Sequence, residues 1–419
     1  MRKILSSIFG VRSLESDVAI VGAGPIGSLA ALHAAKKGIK VSILEQRKEI
    51  GFPDHCAGLL SVNGLTLLGL DNLPRNIIQN TEIQGAKFYS PSGQVFSIKR
   101  NETQAYVINR ALFDQFLKQK AEKAGVNYLT NKKVLDANFD RNNKKLTIEY
   151  LDLKLKKKKQ HTSTVGIIAS GSKRKIAQDS GFKQISNRKY LTGYQYDVEN
   201  ISDLDINMVE IHLSNKLAPG FFVYIIPTSQ TSAKIGLASR LKPSIDQLNH
   251  FIQIHPTVKD RFVKSSIKKK YSGRIIINGL LRKTSSNGLL ITGDAAGQTK
   301  ATTGGGVITG GIAGTIAGKI AADSILAQDN SRRFLKKYDV LWKKQLLSQF
   351  KSMAFFRWCV NRLTDKALEK VFETIIENNI ADLIVEKGDI DSQADVLRAL
   401  LRHPAIIKLA IRVLPLLQF

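Results

Sequence analysis

Cysteine is almost absent from this chain, which has only Cys56 and Cys359 among its 419 residues. Two cysteines cannot build a disulfide framework, and their scarcity is typical of proteins in a reducing compartment. The sequence also lacks an uncharged apolar run of about 20 residues, so it predicts no membrane-spanning helix. Residues 1–15 have a short, broken apolar stretch and no cleavage site, and we expect an N-terminal extension rather than a signal peptide.

Acidic residues are scarce relative to basic ones. Lysine and arginine number 63 against 35 aspartates and glutamates, which gives a net charge of +28. Such a field attracts nucleic acid, phosphorylated metabolites or an anionic membrane surface, although a solvated lysine-rich surface would give the same composition. No zinc-finger spacing or aromatic RNA-binding strand accompanies the charge. We therefore expect no nucleic-acid partner and no metal site.

Glycine, in contrast, is concentrated in two motifs. The first, Gly22-x-Gly24-x-x-Gly27, joins a strand-like stretch to a helical one. Its first glycine permits a tight turn, its second lets the backbone approach a pyrophosphate, and its third allows close packing of helix and strand. Glu45 ends the next strand-like stretch, where a carboxylate can accept hydrogen bonds from ribose hydroxyls. The pattern predicts a dinucleotide-binding βαβ unit, with Gly22, Gly24, Ile26, Gly27 and Glu45 at the cofactor.

The second motif lies far along the chain, at residues 288–297 and 304–307. An apolar strand-like run is followed by Asp294 in a turn of small residues, and three glycines then precede a helix. The Asp294 carboxylate can bond a ribityl hydroxyl, and the helix start can place N–H groups against the flavin pyrimidine edge. Two distant glycine-rich sites suit a long, extended dinucleotide. They predict FAD, with Asp294, Gly305, Gly306 and Val307 as contacts.

Together these motifs resemble the FAD-dependent family that includes para-hydroxybenzoate hydroxylase and the geranylgeranyl reductases. Arg110, with Asp114 one helical turn later, is similar to that family's Arg-x-x-x-Asp element, whose arginine approaches the FAD. Val134 matches the position at which the family's backbone meets the adenine. The resemblance implies that both Arg110 and Val134 contact the cofactor.

The segment PDHCAG, at residues 53–58, resembles an element of the geranylgeranyl reductases that the hydroxylases do not have. The resemblance implies that Cys56, Ala57 and Gly58 contact the isoalloxazine ring, and that the Cys56 thiol donates a proton or tunes the flavin. The residues alone leave two other interpretations open. Cys56 could be a packed small side chain or the partner of Cys359 in a disulfide.

Residues 219–238 resemble the substrate-side motif of the same reductases, with Phe222, Tyr224 and Pro227 at its positions. The implied role is an apolar tunnel for a polyprenyl chain, lined by Phe221, Phe222, Tyr224 and Ile226. These side chains would serve equally well as an ordinary sheet core. The family usually has Asp-Gly after the strand at 165–169, where this chain has Ser170-Gly171. That departure argues against the alternative function, an aromatic or quinone-pathway monooxygenase, and against direct reduction by NADPH.

The resemblance implies an α/β (α+β) fold and an enzyme that saturates isolated double bonds of geranylgeranyl chains. Its partners would be a polyprenyl lipid, an electron donor (ferredoxin, a deazaflavin or NAD(P)H) and an anionic membrane at the cytoplasmic face. The domains we predict are an extension at 1–15, a discontinuous Rossmann-like FAD-binding domain at 16–190 and 275–330 that includes some substrate-side strands, an inserted antiparallel β-sheet substrate domain at 191–274, and a C-terminal helical region at 331–419. The helix predicted at 406–417 is either a core helix or an interfacial one that turns Lys408 and Arg412 toward lipid head groups.

Overall fold

The computed structural model describes residues 14–54, 56–173, 175–182, 190–240, 245–277, 279–388, 391 and 394–413. Most of the predicted N-terminal extension, His55 of the PDHCAG segment and the end of the predicted helix at 406–417 therefore lie outside the described residues. Within them the chain forms eighteen strands and eleven α-helices.

The strands are β1 (Leu14–Val21), β2 (Val41–Leu44), β3 (Leu59–Ser61), β4 (Ile78–Ile83), β5 (Gly85–Tyr89), β6 (Val95–Lys99), β7 (Ala105–Ile108), β8 (Asn127–Leu129), β9 (Lys132–Asp140), β10 (Lys145–Asp152), β11 (Lys157–Ile168), β12 (Tyr190–Glu199), β13 (Met208–His212), β14 (Val223–Pro227), β15 (Ala233–Ser239), β16 (Ser266–Ile276), β17 (Ser285–Ser286) and β18 (Leu289–Ile291). The helices are α1 (Pro25–Ala35), α2 (Val62–Leu67), α3 (Arg110–Lys123), α4 (Lys175–Asp179), α5 (Ile245–Ile254), α6 (Val307–Leu326), α7 (Arg332–Val360), α8 (Asp365–Glu377), α9 (Ile380–Lys387), α10 (Ala394–Arg402) and α11 (Pro404–Val413).

The first sheet has a parallel centre, in the order β18-β11-β1-β2-β8, and β17, β10 and β9 extend it antiparallel. Its central strands are buried on both faces, as the apolar run of Val, Ala and Ile in residues 18–21 predicts. Helices α1 and α6 cross one face together. A Cβ on Gly318 of α6 would lie 2.0 Å from the backbone oxygen of Ala30 in α1, so only glycine permits this approach.

The second sheet contains seven strands in the order β16-β12-β15-β14-β13-β5-β6. Its pairs are antiparallel apart from β13 and β5, which run parallel with Ile211 opposite Phe88. Because β5 and β6 precede residue 100, this sheet combines two strands of the range 16–190 with the strands of the predicted substrate domain. Helix α5 covers one face, where Phe251 packs in a core with Val223 and Ile235.

A third sheet of three short strands, β3-β7-β4, links the two larger ones. It holds the turn at 56–58 in place, since the Ile108 amide of β7 donates to the Gly58 oxygen at 2.9 Å. The mixed α/β architecture agrees with the fold class that the sequence predicts.

The C-terminal helices pack along both large sheets. Trp342 of α7 is fully buried and donates from its indole nitrogen to the Thr284 hydroxyl at 2.8 Å. Further on, Asp391 accepts hydrogen bonds from Lys300 at 2.8 Å and from the Ser61 hydroxyl. These contacts tie the last part of the chain to the middle of the molecule. Among the described helices, none combines the length and the apolar character needed to cross a bilayer.

Candidate cofactor and substrate site

The first glycine motif forms a turn in which backbone packs against backbone. Gly22 has φ +103°, and a Cβ there would lie 2.5 Å from the Ala169 oxygen at the end of β11. A Cβ on Gly27 would lie 2.0 Å from the Gly22 oxygen. Gly24, in contrast, has no atom within 4 Å of its Cβ position, at the N-terminus of α1. The turn therefore leaves open space where free helix N–H groups can meet a pyrophosphate.

Glu45 lies directly beside this turn. Its carboxylate accepts hydrogen bonds from the Ala23 amide at 2.9 Å and from the Arg47 amide at 2.9 Å. Each oxygen retains a lone pair for a further donor such as a ribose hydroxyl. The Glu45 backbone oxygen also accepts from the Lys132 amide at 2.7 Å, which places the start of β9, and hence Val134 two residues later, next to Glu45.

The second glycine motif packs against the first through one side chain, Ile26. Cβ positions on Gly293 and Gly310 would lie 3.2 Å and 2.9 Å from Ile26 atoms. Close by, a Cβ on Gly306 would lie 2.9 Å from an Asp294 carboxylate oxygen, so that carboxylate borders the start of α6. The structure thus brings together residues of the two motifs that are far apart in sequence. A long dinucleotide that spans both turns fits this arrangement.

A group of polar contacts is built on Cys56. The Asp54 carboxylate accepts from the Cys56 amide at 3.1 Å, and Sγ of Cys56 accepts from the Gly58 amide at 3.4 Å. Gly58 has φ +79°, and a Cβ there would lie 2.3 Å from the Ile108 oxygen. Cys56 and Cys359 are both free thiols. The disulfide interpretation of Cys56 is therefore wrong, and its side chain is held in a hydrogen-bonded turn.

Arg110 begins α3 at this turn. Its guanidinium bonds the Asp114 carboxylate at 3.0 Å, one helical turn later, as the Arg-x-x-x-Asp pattern predicts. Burial alone would lower the pKa of Arg110, but the Asp114 carboxylate and the Cys56 side chain outweigh it and raise that pKa above its ordinary value. Arg110 is therefore a permanent cation next to Cys56.

The second sheet contributes Tyr224 from β14. Side chains alternate along a strand, so Val223 and Ile225 enter the core under α5, while Tyr224 and Ile226 face Ala57. The Tyr224 hydroxyl donates to the Gln195 side-chain oxygen at 2.9 Å. Burial, followed by the nearby Cys56 and Asp197, raises the pKa of the Tyr224 phenol. Tyr224 therefore remains protonated.

The two other residues of the predicted substrate motif flank Tyr224. The Phe222 ring meets the Tyr224 ring edge-on, with centroids 6.4 Å apart, and stacks on Phe221 at 4.1 Å. Pro227 ends β14, and its oxygen accepts from the Asn80 side chain at 3.0 Å. Phe221 itself packs with a separate cluster that contains Ala238. Phe222 thus contacts both Phe221 and Tyr224, while Phe221 also packs with residues of another cluster.

One residue of this group was not predicted. Lys234 of β15 is only 4% exposed, and its ammonium donates to the Ile108 oxygen at 3.4 Å. A Cβ on Gly58 would lie 3.1 Å from its Nζ, so the ammonium lies beside the Cys56 turn. Burial lowers the pKa of Lys234, against the opposite influence of Cys56, Asp54 and Asp197. The available signal was a lysine inside the apolar stretch AKIGLA at 233–238.

Comparison with known proteins gives a consistent result. The FAD binding domain family model matches residues 15–312. The digeranylgeranylglycerophospholipid reductase of Methanocaldococcus jannaschii is 31% identical over 397 residues, which are 94% of this chain and 96% of that protein. The reductase of the same name from Methanococcus aeolicus is 28% identical over 411 residues, 97% of this chain and 98% of the relative.

Among solved structures, a geranylgeranyl bacteriochlorophyll reductase-like protein from Thermoplasma acidophilum superposes with a TM-score of 0.83. The match covers 96% of this chain and all of the other chain, at 24% sequence identity. At that identity the likeness establishes the fold, and it does so over almost the whole length.

Proposed function

Because the chain belongs to the geranylgeranyl reductase family of FAD-dependent flavoproteins, we propose that it saturates isolated double bonds in the geranylgeranyl chains of a membrane glycerophospholipid or a polyprenyl diphosphate. The observation that carries the proposal is the packing of the two glycine motifs against each other through Ile26, together with the apolar face that Tyr224 and Ile226 form against Ala57. When bound, reduced FAD supplies a hydride to one alkene carbon, and the other carbon requires a proton.

The residues proposed to hold FAD divide by the part of the cofactor they suit. The open space at Gly24 and the N-terminus of α1 suit the pyrophosphate, while Glu45 and Val134 suit the adenosine half. Asp294 and the start of α6 suit the ribityl chain and the pyrimidine edge, because helix N–H groups favour negative charge there. The remaining proposed contacts are Arg110 at the start of α3 and the turn residues Cys56, Ala57 and Gly58.

The proposed substrate contacts are apolar. An isolated alkene offers no polar handle, so the protein can act on it only by positioning it and by excluding water. The face formed by Tyr224, Ile226 and Ala57 is suited to that task, with Phe222 and Pro227 beside it. We propose that the polyprenyl chain lies along this face.

For Cys56 we propose a catalytic role at the flavin. Cys56→Ala removes the thiol without adding bulk, so the glycine turns remain intact. We expect the variant to keep FAD and lose lipid reduction by at least tenfold, because the contact of the protein with the flavin and the reacting groups depends on that side chain. Full activity with FAD bound would contradict the role.

The electron donor and the membrane are further parts of the proposal. Ferredoxin, a deazaflavin or NAD(P)H would supply the electrons. The net charge of +28 favours an anionic bilayer. The end of α7 exposes Phe355 and Trp358, and α11 exposes Ile407 and Ile411 next to Lys408. We propose that these side chains contact the cytoplasmic face of the membrane, as interfacial helices do.

The decisive experiment uses purified, FAD-loaded protein reduced with dithionite and mixed with digeranylgeranyl glycerophospholipid. We expect mass spectrometry to show a gain of two hydrogens for each saturated bond. Heat-denatured protein is the control for non-enzymatic reduction. If FAD-loaded protein leaves the lipid unchanged with every donor, the proposal is wrong. Oxygen uptake with NAD(P)H that rises with an aromatic or quinone substrate would indicate the monooxygenase instead.

A further inference from the structure

Lys234 is a buried lysine next to the turn at residues 56–58. Lysine is among the residues least often buried, because taking an ammonium out of water costs several kcal/mol unless it is paired. Among the described residues, no carboxylate oxygen forms a salt bridge with Lys234. The Lys234 ammonium instead donates a hydrogen bond to the Ile108 oxygen. The fold therefore retains a costly charge beside the site, which is typical of a functional group.

The position of Lys234 follows from strand geometry. Lys234, Gly236 and Ala238 lie on the same face of β15, because they are two residues apart. Strand β15 pairs with β14, where Tyr224 lies opposite Gly236. A Cβ on Gly236 would lie 2.2 Å from the Tyr224 hydroxyl, so the absence of a side chain there gives Tyr224 its place next to Lys234. Lys234 thus shares a sheet face with the proposed substrate contact, and Cys56 lies across from it.

We infer that Lys234 is the proton donor of this site, and that its ammonium supplies the second hydrogen of each saturated double bond. The inference rests on the proposed function, which defines where the proton goes. The π bond of the alkene breaks and two C–H bonds form: the hydride brings the electron pair of one, and the π electrons take the proton for the other as one N–H bond of Lys234 breaks. The neutral amine then regains a proton from solvent.

The neighbouring groups are less suited to the step. Arg110 and Tyr224 both have raised pKa values and hold their protons more tightly than usual. Burial, in contrast, lowers the pKa of Lys234, which makes its proton easier to release. The charged and titratable groups that influence Lys234 are Asp54 and Cys56 on the turn, Arg110 on α3 and Asp197 on β12.

The test compares Lys234→Met and Lys234→Arg with the wild type in single-turnover reduction of the lipid by pre-reduced, FAD-loaded protein. Methionine removes the charge and the proton, whereas arginine keeps the charge but cannot release a proton near neutral pH. We expect both variants to slow lipid reduction about 100-fold to 10,000-fold, the range of general acid catalysis. FAD occupancy and the flavin reduction potential, measured on the same samples, should not change. Lys269→Met, on an exposed lysine of β16, is the matched control and should keep the wild-type rate.

The pH profile of the wild type gives a test that needs no variant. Lys234 must be protonated to donate, so the rate should fall as the pH rises through its pKa, below the ordinary value of 10.5. A flat profile up to that pH would overturn the inference. Loss of this pH limb in Cys56→Ala but not in Lys234→Met would assign the proton to Cys56.

Three further results would also overturn it. If Lys234→Arg keeps the wild-type rate and Lys234→Met lowers the flavin potential, Lys234 acts only as a charge near the reduced cofactor. If wild-type protein binds FAD but never reduces the lipid, the proposed function is wrong and this inference is wrong with it. Wild-type activity with unaffected Lys234 variants contradicts the inference alone.

Discussion

The glycine turns and the substrate-facing sheet are built in opposite ways. At Gly22 and Gly27, backbone meets backbone, and a single added Cβ would fall 2.5 Å and 2.0 Å from a carbonyl oxygen. On β14 and β15 the backbone pairing is regular, and the side chains of Tyr224 and Lys234 face the turn at residues 56–58. One region works by the absence of side chains and the other by their identity. Cofactor binding and catalysis should therefore respond to different kinds of substitution.

The largest expected effect separates two glycines of the same turn. Gly27→Val forces a side chain into the Gly22 oxygen, so we expect FAD binding to weaken more than 100-fold and the apoprotein to become less stable. Gly24→Ala adds its methyl group to open space, so we expect apoprotein stability within about 1 kcal/mol of the wild type and a weaker FAD affinity. Flavin absorbance after dialysis and urea unfolding measure the two effects. If Gly27→Val protein keeps its FAD, the claim that cofactor binding depends on the absence of side chains at the glycine turns is wrong.

An intermediate effect is expected on the second sheet, where the stabilising contact is a buried ion pair between side chains. Arg261 bonds Glu210 at 2.7 Å, and His212 lies 3.4 Å from the same carboxylate. Burial raises the pKa of Glu210, but hydrogen bonds from His212 and Arg261 outweigh it and lower the pKa from 4.5 to about 2. The resulting stability is present above pH 4.5 and is lost as the pH falls toward about 2.

We therefore expect the free energy of unfolding to fall by up to about 3 kcal/mol over that acid range. Glu210→Gln should destabilise the protein at pH 7 by about 3 kcal/mol, because it leaves Arg261 buried without its partner. Glu199→Gln, at an exposed pair with Lys268, is the control and should change stability by less than about 1 kcal/mol. Urea unfolding at a series of pH values measures all three. An unfolding free energy that does not change from pH 5 to pH 2 would contradict the assignment.

The smallest expected effect concerns the C-terminal helices. Phe355 and Trp358 stack with ring centroids 6.1 Å apart on the exposed end of α7. Changing both to serine should weaken sedimentation with anionic phospholipid vesicles about tenfold, which corresponds to about 1.4 kcal/mol, because only part of each half-exposed ring can enter the bilayer. Val263→Ser, an exposed apolar residue of the loop before β16, is the control. Equal binding by both variants would mean that another surface contacts the membrane.

The same contrast explains which features could be predicted from the sequence. Glycine motifs depend on local backbone geometry, so Gly22, Gly24, Gly27 and Gly304–Gly306 are recognisable without knowledge of the tertiary structure. Arg110 and Asp114 are similar, because their pairing needs only one helical turn. The α/β fold class follows from the same local patterns.

What could not be predicted depends on contacts between distant segments. Lysine in a strand is usually exposed, and only the packing of β15 against the turn at residues 56–58 buries Lys234. The aromatic run at 221–224 looks continuous in sequence, but packing assigns Phe221 and Tyr224 to separate clusters. Strands β5 and β6 join the second sheet by a parallel pairing with β13 that no local pattern indicates.

The contact of Ile26 with Gly293 and Gly310 has a consequence for the synthesis of the protein. A chain emerging from the ribosome presents the N-terminal βαβ unit early, but the other half of the cofactor site is translated only after most of the chain. Contacts of such large sequence separation form slowly and expose apolar surface in the meantime. The nascent protein therefore cannot be stabilised by its cofactor until translation is nearly complete.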